Sequence, residues 1–161
     1  MFDHVSFAYG AAEQPVNEER RMAVRDITLS VQKGGSLGII GATGSGKTTL
    51  INLLMRFYDV TSGHIYVNGK DIRTYDRNEL RRMFGVVFQN DMIFADTLEE
   101  NIAFGRTADP EEMRRALRDA QAAFVDEYED GLQHEAAIRG SNFSGGQRQR
   151  LLISRALAKK P

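Results

Sequence analysis

Val5, Phe7 and Tyr9 alternate with polar or small residues, and Ile27, Leu29 and Val31 repeat the alternation after a polar stretch from Gly10 to Arg21. A period of two predicts half-buried strands in both places. Ser36 to Ile40 is almost continuously apolar, which predicts a strand covered on both faces in a parallel or mixed sheet. Leu50, Ile51, Leu53, Leu54 and Phe57 follow helical spacing. Ile65 to Val67 ahead of Asn68-Gly69 predicts one arm of a hairpin, and Phe84 to Phe88 another buried strand.

The second half is mostly helical. Thr97 followed by Glu100 has the form of a capping box, and Gly105 is placed to end that short helix. Asp109-Pro110-Glu111-Glu112 supplies a cap, a proline at the first helical position and acids near the positive end of the dipole. Met113, Ala116, Leu117, Ala120 and Phe124 fall on one face of the helix that starts there, with Arg114, Arg115, Arg118 and Asp119 largely off it. This is the pattern of core packing opposite a solvated face.

Composition narrows the field. Hydrophobic residues at 42% and charged residues at 27% suit a folded globular chain, and 161 residues suffice for one domain with a smaller lobe. The 21 basic and 22 acidic side chains leave a net charge of −1, so no global field favours nucleic acid or anionic lipid. Absence of cysteine excludes disulfide and thiolate chemistry, and His4, His64 and His134 are scattered. No apolar run is long enough to span a bilayer, so a membrane connection is expected only through a partner.

The strongest chemical signal is Gly41-Ala42-Thr43-Gly44-Ser45-Gly46-Lys47-Thr48, which fits the P-loop pattern and lies between a predicted strand and a predicted helix. A polyphosphate needs several donors converging on a small volume, and the glycines let successive backbone N–H groups curl inward. The helix beginning near Lys47 adds its positive end, Lys47 an ammonium for the β- and γ-phosphates, and Thr48 a hydroxyl for Mg²⁺. Residues 41–49, including Thr49, are therefore the candidate nucleotide-binding residues, with Thr48 the candidate Mg²⁺ ligand. A P-loop alone does not separate kinases, GTPases, helicases and transport ATPases.

Asn142-Phe143-Ser144-Gly145-Gly146-Gln147, followed by Arg148-Gln149-Arg150 and the helical run Leu151 to Ala158, resembles the signature motif of ABC ATPases, with Phe143 where leucine is commoner. In isolation the segment fits two readings. Ser144 and Gln147 form a capping box, and Gly145 and Gly146 leave the first N–H groups uncovered, which suits either a plain cap or an anion site. The resemblance extends through nearly the whole chain and is nearest to exporter-type domains. It implies an α/β fold: a P-loop NTPase core with a mixed or parallel sheet and N-terminal antiparallel strands, plus an α-helical subdomain carrying the signature motif. Residues 1–88 would form the nucleotide-binding lobe and residues 89–161 the Q-loop and helical subdomain. It implies Mg²⁺ and ATP as cofactors, ATP hydrolysis coupled to transport, and a dimer with a second ABC ATPase domain in which Phe143, Ser144, Gly145, Gly146 and Gln147 cover the partner's ATP.

The same resemblance places Tyr9 against adenine, with a tyrosine packed on its strand as the lesser alternative. It makes Gln89 the Q-loop residue, a second Mg²⁺ ligand and a sensor of the γ-phosphate. It makes the segment from Gln89 to Phe104 the docking site for transmembrane domains at the cytoplasmic face of the membrane, with no role for nucleic acid. Exporters commonly carry an acidic residue and a glycine shortly before the signature, where this chain has Glu135-Ala136-Ala137-Ile138-Arg139-Gly140. In the family a proline like Pro161 precedes an apolar strand ending in Asp-Glu and then a switch histidine. Without those residues, no catalytic set is complete between Met1 and Pro161, and the alternative expectation is a non-hydrolysing, ATP-dependent interaction module.

Overall fold

A computed structural model describes residues 1–10, 22–107 and 109–161. Apart from Gly10, the polar stretch up to Arg21 lies outside them. The chain divides into two compact units, Met1–Arg81 and Arg82–Pro161.

In the first unit the alternating segments form β1 (Phe2–Phe7) and β2 (Val24–Leu29), and the hairpin forms β3 (Ser62–Val67) and β4 (Lys70–Asp71). All pairings are antiparallel, in the order β2-β1-β3-β4 among the described residues. Asn68 and Gly69 both take positive φ, 50° and 77°, as a two-residue hairpin turn requires. Val5, Phe7, Val24 and Ile65 are buried, together with Leu50 and Leu53 of α1 (Lys47–Leu54) and Leu80 of α2 (Arg77–Arg82). Burial is the driving term for these elements, at about 25 cal/mol per Å² of apolar surface withdrawn from water.

Two predicted strands are absent. Ser36 to Ile40 and Phe84 to Phe88 form no ladder. Ile40 is 99% exposed and Leu37 49%, the reverse of the doubly covered strand that their apolar run predicts. An apolar run becomes a central strand only when neighbouring strands bond to both of its edges, and no described strand pairs with either segment.

The second unit is helical. It contains α3 (Leu98–Ala103), α4 (Pro110–Asp119) and α5 (Gly145–Ala158), joined by short 3-10 turns. The predicted starts are as expected. The Thr97 side chain accepts from the Glu100 N–H, Asp109 accepts from the Glu111 N–H, and Pro110 occupies the first turn. Helix α3 ends with Phe104 in the left-handed region at φ 50°, followed by Gly105 at φ 73°. One core joins Leu98 and Ile102 of α3, Met113, Ala116 and Leu117 of α4, and Leu151 and Leu152 of α5. Phe143, immediately before the α5 cap, is buried in it with Phe124, Tyr128 and His134 around its ring.

Candidate functional site

The glycine-rich loop runs directly into α1, whose first residue is Lys47 and whose cap is Gly46. Gly46 has φ 89°, and a Cβ there would lie 2.6 Å from the Ala23 carbonyl oxygen and 2.8 Å from Val24 Cγ1. Only glycine meets both the backbone hand and the close approach. No side chain caps α1, so its first N–H groups keep their dipole unscreened by a cap. The Lys47 ammonium folds back over the loop, donating to the carbonyls of Gly41 and Ala42, each at 2.7 Å, and to Ser45 Oγ at 3.3 Å. Gly41 to Ser45 and Thr48 are exposed, whereas Thr49 is buried.

Tyr9 stands at the same helix. Its hydroxyl lies 3.1 Å from Thr49 Oγ1, and its ring meets Phe7 and Tyr58 edge-on at 4.8 and 5.2 Å between centroids. The ring remains 48% exposed, so strand packing does not account for the whole of it. The sheet thus sets a half-exposed aromatic ring beside the helix that follows the glycine-rich loop.

The signature segment is built as a capping box. Ser144 Oγ accepts from the Gln147 N–H at 3.2 Å, and Gln147 Oε1 accepts from the Ser144 N–H at 2.8 Å. Ser144, Gly145 and Gly146 face solvent, while the Phe143 ring is held inward. The phenyl substitution therefore anchors the motif from beneath, and the ring presents nothing outward. Arg148 steadies the preceding turn by donating to the carbonyls of Gly140 and Phe143 at 3.4 and 3.3 Å.

Gln89 is exposed. With Asp91, Met92, Arg139, Gly145 and Arg148 it lines a depression of about 520 Å³ at the start of α5. Ile138, next to Arg139 of that lining, is 74% exposed. Among the described residues no cluster of His, Asp or Glu could hold a metal on its own. The glycine-rich loop offers the hydroxyls of Thr43, Ser45 and Thr48 and no carboxylate, which suits a cation whose remaining ligands are phosphate oxygens and water.

Comparison with known proteins places this architecture. The family model for ABC transporters matches residues 24–161, from β2 through α5. The chain belongs to the ABC transporter family. Relatives whose names carry the words multidrug export ATP-binding/permease protein, from Staphylococcus aureus strains NCTC 8325 and COL, are 43% identical over 161 residues. A further such relative, from a bovine strain, is 41% identical over 160 residues. A solved structure described as a bacterial Atm1-family ABC exporter with ATP bound superposes with a TM-score of 0.86 at 36% identity, over 99% of this chain and 27% of that one. The chain spans about a quarter of the length of these relatives, 27% for the 43% matches. The α/β architecture with antiparallel strands and a helical part is that of the ABC ATPase domain. ATP hydrolysis is the family's activity. Among the described residues no helix is long and apolar enough to cross a membrane.

Sequence reasoning missed one cluster. Asn101, on the apolar face of α3, is 3% exposed. Its side-chain amide donates to the carbonyls of Phe94 and Thr97 at 3.0 and 2.9 Å, and its oxygen accepts from the Phe94 N–H at 2.8 Å. Arg155 of α5 reaches the same point. Burial lowers the Arg155 pKa and the nearby Asp91 opposes that, but a guanidinium keeps its proton throughout. An asparagine interrupting the run from Leu98 to Ile102 is the signal that marks this hub.

Proposed function

We infer that this chain is the ATP-binding portion of an ABC exporter, taking Mg-ATP at residues 41–49 and covering the ATP of a second ABC ATPase domain with Ser144 to Gln147. The observation that carries the reading is the outward presentation of Ser144, Gly145 and Gly146 on an anchored helix start. A cap that served only its own helix would not need two exposed glycines beyond the serine. Tyr9 supplies a stacking face for adenine, Thr48 a Mg²⁺ ligand, and Gln89 a second one that feels the γ-phosphate. Residues 1–88 form the nucleotide-binding lobe and residues 89–161 the part that couples to transmembrane domains. The segment from Gln89 to Phe104 receives those domains at the cytoplasmic face of the membrane. Its exposed Met92, Phe94 and Phe104 suit an apolar contact.

In this scheme ATP acts as a clamp. Contacts made only with the γ-phosphate favour the closed dimer, and hydrolysis with phosphate release reopens it. The Ser144→Arg variant tests it, because the added side chain replaces the small exposed serine with which the segment is to cover the second domain's nucleotide. Nucleotide binding by the separate copies should persist while ATP-dependent dimerisation, followed by light scattering, is lost. Parental dimerisation by this variant would reject the signature assignment.

A further inference from the structure

Arg155 lies near the C-terminal end of α5, about 16 Å along the helix from Ser144 at 1.5 Å per residue. Each of its three guanidinium nitrogens donates a hydrogen bond. Nε donates to the Asn101 carbonyl at 2.7 Å, one terminal nitrogen to the Met92 carbonyl at 3.0 Å, and the other to Asn101 Oδ1 at 3.0 Å. The rings of Phe94 and Phe104, 5.6 Å apart between centroids, lie side by side against it with centroids 5.5 and 4.8 Å away, and are themselves 46% and 54% exposed. Asn101 in turn holds the turn from Phe94 to Thr97. One side chain of the signature helix therefore pins the backbone of the segment from Met92 to Phe104 and sets its two outward aromatic rings.

We propose that Arg155 is a positioning residue that transmits the nucleotide state of the signature helix to the Met92–Phe104 surface, so that α5 and that surface move as one body. The inference rests on the proposed roles of Ser144–Gln147 and of Gln89–Phe104. A planar fork with several donors is needed for it. Three bonds in different directions and two aromatic faces fix both position and orientation, which the single ammonium of lysine cannot do. Two backbone bonds of this segment, the Leu98 N–H to the His134 carbonyl and the Ala136 N–H to the Asp96 carbonyl, join it to the turn before the signature. Its apolar packing of Leu98 and Ile102 on Leu151 and Leu152 of α5 is non-directional, so it does not set the orientation that the Arg155 bonds set. A shared rigid element biased from both ends is the physical requirement for such coupling.

The test uses the complete membrane protein in lipid nanodiscs, with amide hydrogen exchange read segment by segment, with and without Mg²⁺ and the β,γ-imido analogue of ATP. In the parent the analogue should slow exchange at Gly145–Arg148 and at Ile93–Phe104. In both Arg155→Lys and Arg155→Met the first response should keep its parental size, while the second falls by at least about threefold. Asn101 still holds the Phe94 turn in these variants, so nucleotide-free exchange of the segment should stay near parental. The proposal is overturned if Ile93–Phe104 responds as in the parent, or if both responses shrink together. It is equally overturned if both variants leave the segment exchanging freely without nucleotide, since Arg155 would then serve only the local fold. A parent that shows no slowing at Gly145–Arg148 would instead remove the signature reading beneath it.

Discussion

Lys47→Ala is the most direct probe of the phosphate site. Within the loop the ammonium makes two bonds of 2.7 Å to neutral carbonyls and a weaker one of 3.3 Å to Ser45 Oγ. On binding, it trades those partners for phosphate oxygens. A hydrogen bond between charged groups is worth about 1.5–3 kcal/mol net, against about 1 kcal/mol for a neutral one. Two such exchanges, after subtracting the bonds given up, leave about 1–4 kcal/mol of binding energy that alanine forfeits. At 1.4 kcal/mol per factor of ten, the dissociation constant for Mg-ATP should rise about 5- to 700-fold. Titration with a fluorescent ATP analogue in the presence of Mg²⁺ measures this, with a melting curve as control. The carbonyls released by the lysine lie on an exposed loop where water replaces the ammonium, so the cost in stability should stay below about 1 kcal/mol. Binding within about threefold of the parent would refute the reasoning from charge-assisted bonds.

Other substitutions separate the remaining roles. Tyr9→Ala should weaken ATP about 5- to 10-fold while leaving inorganic tripolyphosphate unchanged, because the ring serves the base alone; competition binding with the two ligands distinguishes them. Phe143→Ala empties a buried site among Phe124, Tyr128 and His134. It should cost the helical unit about 3–5 kcal/mol in denaturant unfolding. Asp71 accepts from Arg73 and pairs with His64, and chiefly the Arg73 bonds hold its carboxyl well below the usual carboxylate range. A depressed folded value means stability that is present above the unfolded pKa and is lost as pH falls towards the folded one. Asp71→Asn should therefore lower stability near neutrality by about 1–2 kcal/mol, and the gap should close as both proteins are acidified below about pH 4. Thermal melts across that range would show it; a gap that widened in acid would contradict the sign.

The local chemistry was legible in the residues themselves. Gly46 and Lys47 define the loop-to-helix junction, Asn68-Gly69 the hairpin turn, Asp109-Pro110 the start of α4, and Ser144 with Gln147 a complete capping box, because each is decided by neighbours a few residues away. The resemblance to ABC ATPases was carried by two such local motifs, and the family model matches residues 24–161. Long-range pairing was not legible. Ser36 to Ile40 has the composition of a central strand and forms none, since composition specifies what a segment tolerates and only partner strands decide whether it pairs. Tertiary structure alone turned Phe143 inward, bonded Tyr9 to Thr49 and brought Arg155 onto Asn101. These contacts join residues far apart in the chain, and their directions depend on how helices and strands pack, which no short window of sequence encodes.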